Sequence, residues 1–149
     1  MRARVVYDTN FGNTRTIAEV IASELGRDAA TLNVADVTEE SLRGVDVLVV
    51  GSPINGWRPT EKIQQFLRTL PPGSLTGVRA AAFDTRIKMF LHGDAAGKIS
   101  HALHSAGATI VAKPQGFIVT ATEGPLAPGQ TDRAGAWAAF IGAELRANA

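Results

Sequence analysis

The chain has 149 residues, of which 45% are hydrophobic and 19% charged, and it carries a net charge of +1 at pH 7. That length fits one domain, residues 1–149, which buries about 70% of its unfolded surface; the near-neutral balance excludes a dedicated nucleic-acid or membrane-surface binder, which needs a basic excess to meet phosphates. Absence of cysteine excludes disulfides, thiolate metal sites and thiol nucleophiles, so a cytoplasmic address is the default expectation, with no leader and no bilayer-spanning run of ~20 apolar residues.

Apolar periodicity changes repeatedly along the chain. Val5–Tyr7 reads as a strand, followed by Ile17, Val20, Ile21 and Leu25 on one helical face, with Gly26 as the stop. Thr31–Val34 reads as a short strand and "VTEESLRG" as a brief helix or turn. The run "VDVLVVGSP" (45–53) is apolar almost throughout, as expected of a strand buried on both faces. Ile63, Phe66, Leu67 and Leu70 predict a helix stopped by Pro71-Pro72-Gly73. A fourth strand follows at 78–85, then a helix through Ile99, Ala102, Leu103 and Ala106. A fifth strand is predicted over 108–119, bent near Pro114, and Trp137, Phe140, Ile141 and Leu145 mark the closing helix. Alternating strands and helices without repeats specify an α/β domain with a parallel sheet.

In open parallel sheets ligands sit beyond the carboxyl ends of the strands, which singles out the loops 8–14, 51–59, 84–94 and 120–130. In "DTNFGNT" (8–14), Thr9, Asn13 and Thr14 put hydroxyl and amide groups beside the free N–H groups of a helix start, and Gly12 allows a close approach. The same residues suit a phosphate monoester or a simple helix cap. In "GSPINGWRPT" (51–60), backbone groups of 52–56 suit a heterocycle edge and Trp57 its face, the alternative being a tryptophan packed on a neighbouring helix.

These two loops, in this order and in a chain of this length, resemble a short-chain flavodoxin. The family's phosphate loop, [S/T]-x-T-G-x-T after a "VVY" strand and before an "IAEVIA"-like helix, stands here as Thr9-Asn10-Phe11-Gly12-Asn13-Thr14. The likeness runs from the first strand to the last helix. It implies a three-layer sandwich around a five-stranded parallel sheet of order 2-1-3-4-5, and non-covalent FMN as cofactor. By position, Thr9, Asn10, Phe11, Gly12, Asn13 and Thr14 would hold the phosphate. Ser52, Pro53, Ile54, Asn55, Gly56 and Trp57 would border the isoalloxazine ring. Asp84, Thr85, Arg86 and Met89 of the third loop would close its other side.

Three departures from the family pattern stand out. Phe11 replaces a hydroxyl residue, although its backbone N–H remains. Met89, with Phe90 beside it, occupies the place of the usual outer tyrosine. Arg86 and Lys88 stand where acidic residues are common, so a cation such as Arg86 within a few ångströms of the ring would favour the anionic reduced flavin and make its potential less negative, the alternative being a solvated loop residue. The resemblance implies an electron carrier between a reductase and an acceptor, its partner a redox protein or a small planar electron acceptor. An FMN-dependent oxidoreductase acting on a quinone, or a flavin-free binding module, are the alternatives.

Other motifs carry less. "GDAAGKIS" (93–100) lacks P-loop spacing, and Ile99 replaces the Mg²⁺-binding hydroxyl. His92, His101 and His104 lack a third ligand at metal spacing, and the third strand ends in Gly51-Ser52-Pro53, without the aspartate of a phospho-receiver.

Overall fold

The computed structural model describes residues 1–88 and 93–148. Strands β1 (Ala3–Tyr7), β2 (Ala29–Asn33), β3 (Val47–Pro53) and β4 (Arg79–Ile87) are followed by β5 (Thr109–Ile110) and β6 (Gln115–Val119). Helices α1 (Asn13–Leu25), α2 (Glu61–Arg68), α3 (Ala95–Ser105) and α4 (Gln130–Ala147) alternate with them. All pairings are parallel and the order is β2-β1-β3-β4-β5, with β6 also on β4. The expected 2-1-3-4-5 sheet is therefore present, and the segment between β2 and β3 forms only two short 3₁₀ turns, at Val34–Asp36 and Glu40–Leu42.

The fifth strand differs from expectation by being broken in two rather than bent. Between the paired positions, β4 advances from Ala80 to Phe83 while its partner advances from Ile110 to Gln115. Two extra residues are thus extruded around Pro114, which has no N–H to give to the ladder.

Side-chain alternation builds the layers. Val5, Val47, Val49, Ala81 and Phe83 face α1 and α4, whereas Val6, Leu48, Val50, Ala80 and Ala82 face α2 and α3. That two-sided burial explains the unbroken apolar run of β3. On the α4 side Phe83, Phe117 and Trp137 meet edge to face with centroids 6.0–6.2 Å apart, a geometry that adds to their burial. Among the described residues no helix is long and apolar enough to cross a membrane.

Gly51 lies opposite Phe83 in the β3–β4 register, and a Cβ there would fall inside the Phe83 ring. Gly51→Ala therefore overpacks the aromatic cluster and is expected to cost about 1–3 kcal/mol, read as a lower urea midpoint at unchanged m-value.

Candidate functional site

The chain leaves β1 for β2 on one side and later returns to β3 on the other, so the loops after β1 and β3 part and leave a crevice between them. The general rule for such sheets, of which the flavodoxin order is itself an example, puts the ligand there. A cleft of about 260 Å³ opens at this place.

The first wall is the loop 8–12 and the start of α1. Gly12 adopts φ 94° and is the N-cap, without any side-chain cap. Its own N–H donates to Thr9 Oγ1 (2.8 Å), which curls the loop tightly. The N–H groups of Asn13, Thr14 and Arg15 have no acceptor among the described residues, leaving the positive end of the helix open toward an anion. By contrast α2 is capped by Thr60 and α3 by Asp94. α4 also starts at an uncapped glycine, Gly129, but none of its first turn lines the cleft.

The second wall is a reverse turn. Asn55 and Arg58 exchange backbone hydrogen bonds of 2.7 and 3.2 Å around Gly56 (φ 55°) and Trp57 (φ 73°). Two positive φ values in succession define a type I′ turn, ordinarily filled by glycine or asparagine. A tryptophan in this region is strained by about 1–2 kcal/mol. Its carbonyl is held from below by Lys98 Nζ (3.1 Å) and the Asp94 N–H (3.4 Å). Gly93 packs against it so closely that a Cβ would come within 2.5 Å of Trp57 Cα. Trp57 is 54% exposed and lines the cleft, and it also borders residues of α2 and α3, among them Leu67 and Ala102. Asn10 Nδ2 donates to Asn55 Oδ1 (3.0 Å) and joins the two walls.

The third wall comes from β4. Thr85 lines the cleft, and its hydroxyl lies 2.8 Å from that of buried Thr14. Arg86 also lines it, but as half of an ion pair: its Nε and Nη2 donate to the two carboxylate oxygens of Asp84 at 2.7 and 2.5 Å. Asp84 is fully buried and also accepts the Ala96 N–H at the start of α3 (2.9 Å). The hydrogen bond that Arg86 donates to Asp84 pushes the Arg86 pKa above its ordinary value, against the opposing effect of burial. The Arg86 cation thus stands in the cleft wall paired with Asp84, with Asp94 Oδ1 3.8 Å from its Nη2.

Among the positions singled out in the sequence, Thr9, Asn10, Phe11, Asn13 and Thr14 line one side of the cleft. Pro53, Ile54, Asn55, Gly56 and Trp57 line the next, and Thr85 and Arg86 the third. Gly12 shapes the loop from behind. Ser52 and Asp84 stand beneath the wall rather than on it: the Ser52 hydroxyl donates to Pro53 O and accepts the Thr60 N–H. Met89 falls outside the described residues. Ile87, Val119 and Thr122 also line the cleft. Ile87 was missed because β4 runs two residues beyond the predicted end at 85.

Parallel sheet, uncapped α1 start and exposed aromatic turn together define a doubly wound protein built around an anion-bearing planar ligand. A profile of the Flavodoxin domain matches residues 4–88, and the chain belongs to the flavodoxin family. It is 39% identical over 85 residues to a flavodoxin of Clostridium beijerinckii, covering 54% of this chain and 61% of that protein. It is 32% identical over 114 residues to Flavodoxin 1 of Salmonella typhimurium, covering 72% of this chain and 64% of that one. The matches thus span less than two thirds of the length of these relatives. In fold it superposes on oxidised Flavodoxin 2 of Bacillus cereus with a TM-score of 0.82 at 20% identity, over 97% and 99% of the two chains.

Two variants probe the walls. Trp57→Gly removes the positive-φ strain that Trp57→Ala retains, so the glycine variant is expected to be about 1 kcal/mol more stable than the alanine one in urea unfolding. Asp84→Asn removes the buried charge that accepts two hydrogen bonds from Arg86, leaving Asp94 Oδ1 at 3.8 Å as a carboxylate still facing the guanidinium, and is expected to cost about 1–3 kcal/mol by the same measurement.

Proposed function

We propose that the cleft binds FMN non-covalently and that this chain is a cytoplasmic electron carrier, working between a reductase and an acceptor. The observation that carries the proposal is the uncapped start of α1, with unpartnered N–H groups in the same cleft as an exposed tryptophan. A phosphate monoester fits the first feature and a planar heterocycle the second. In this reading Thr9 holds the loop in shape through the Gly12 N–H, and the backbone of 10–15 with the Asn13 amide surrounds the phosphate. Trp57 covers a ring face, while backbone groups of 53–56 meet its edge. When bound, FMN supplies reversible electron transfer, and the protein sets access and potential.

The remaining wall favours a carrier over an enzyme. Arg86 is the only titratable side chain among the described residues lining the cleft, and its proton is held by Asp84. Among the described lining residues no carboxylate or imidazole stands ready to move a proton to or from a substrate. Turnover of NAD(P)H and a quinone by the FMN-loaded protein alone would overturn the carrier assignment in favour of an oxidoreductase.

Titration of apoprotein with FMN and with riboflavin, followed by flavin fluorescence, tests the cofactor. Charge-assisted hydrogen bonds contribute about 1.5–3 kcal/mol each, so two of them make FMN tighter by at least about a hundredfold. Equal affinity for the two flavins would reduce the loop to a helix start. Thr9→Ala frees the Gly12 N–H and loosens the loop; it is expected to weaken FMN about tenfold and leave riboflavin unchanged.

A further inference from the structure

Behind Trp57, on the side away from the cleft, lies a second groove of about 580 Å³ between α2 and α3, sharing only Gly56 and Trp57 with the first. Its lining includes Arg58, Arg68 and Lys98 above an apolar floor of Leu67 and Ala102, and no described lining residue is a carboxylate, although the exposed Glu61 and Asp94 border it. The Arg68 charge is paired with Glu61 (2.7 Å), and Lys98 bonds the Trp57 carbonyl. Arg58 is exposed and makes no side-chain hydrogen bond or ion pair among the described residues. Of the large apolar side chains that are exposed among the described residues, Phe11 (52%) and Trp57 (54%) both stand at the cleft.

From these features we infer that this face docks an acidic protein partner, whose carboxylates enter the groove beside Trp57. The inference rests on the carrier reading and adds to it the charge and position of the partner. Cations on a partly apolar groove, next to exposed aromatic rings, combine steering with the kind of side chain that anchors an interface. A dinucleotide fits the same groove less well. Pyrophosphate recognition uses open backbone N–H groups at a helix start, and the starts of α2 and α3 are closed by Thr60 and Asp94. The exposed Phe11 lies on the far side of the cleft, on the loop after β1, and extends the surface beyond what the groove alone offers.

The test uses ¹⁵N-labelled, FMN-treated protein titrated with three probes: acidic cytochrome b5, basic cytochrome c, and NADPH. Cytochrome b5 is expected to shift amide signals of 56–58, 64–68 and 98–102 at low ionic strength, with affinity falling on the order of tenfold in moderate salt. The double substitution Arg58→Glu and Arg68→Glu is expected to abolish those shifts and let cytochrome c produce them. Shifts caused by NADPH and by neither protein would replace the docking surface with a nucleotide site. Cytochrome b5 binding that is indifferent to the double substitution would overturn the inference outright. Failure to retain FMN, with cytochrome b5 still bound at the groove, would count against the flavin assignment and leave the docking surface standing.

Discussion

The buried carboxylate of Asp84 is the contact on which the rest of the site depends. It sits near the carboxyl end of β4 and receives two hydrogen bonds from Arg86 and a third from the first turn of α3. One group therefore fixes the position of α3, the conformation of the strand end and the charge of the cleft wall. A buried carboxylate with a single partner would be costly; with three donors its desolvation is offset. The packing is cooperative with the neighbouring strand. Gly116 pairs with Asp84 across the β4–β6 ladder, and a Cβ there would collide with the Arg86 guanidinium. The glycine thus leaves the slot through which the arginine folds back onto its partner.

From that anchor the strain at Trp57 becomes intelligible. Lys98 and the Asp94 N–H, both supplied by the chain at the head of α3, hold the Trp57 carbonyl, and Gly93 packs against its backbone. A bulky residue at φ 73° persists because several contacts over-determine the turn. The cost is local, about 1–2 kcal/mol, and the return is an aromatic ring held at the cleft instead of buried in the core. Position 57 therefore gives up some stability to keep an aromatic ring at the cleft.

Much of this was legible in the sequence. Continuous apolar strands, 3.6-residue helix faces and glycine- or hydroxyl-bearing strand exits each have a direct physical cause, and those features located the sheet, the helices and two walls of the cleft. What escaped was side-chain direction at the strand ends. Asp84 and Arg86 are two apart on a strand and so share a face; that alternation was the available signal for their pairing, but only if β4 was known to continue to Ile87. Ser52 escaped for a related reason. Its hydroxyl closes locally on Pro53 and on the Thr60 N–H, a choice between local and ligand hydrogen bonding that residue type leaves open. The break in the fifth strand was signalled by Pro114, but the number of extruded residues depends on the register with β4.

Charge and shape finally act on different scales in this molecule. Inside the cleft the only titratable group on the described lining is neutralised by its neighbour, so the field at a bound ring comes chiefly from the open end of α1 and from backbone dipoles. Outside, Arg58 and Lys98 lie beside Trp57, and no described residue lining the groove they share is a carboxylate. A near-zero net charge for the whole chain thus conceals a local sign. Because exposed charges act over about a Debye length of 8–10 Å at physiological salt, the balance of Arg58, Arg68 and Lys98 against Glu61 and Asp94, not the total, sets the field that a protein surface meets near the tryptophan.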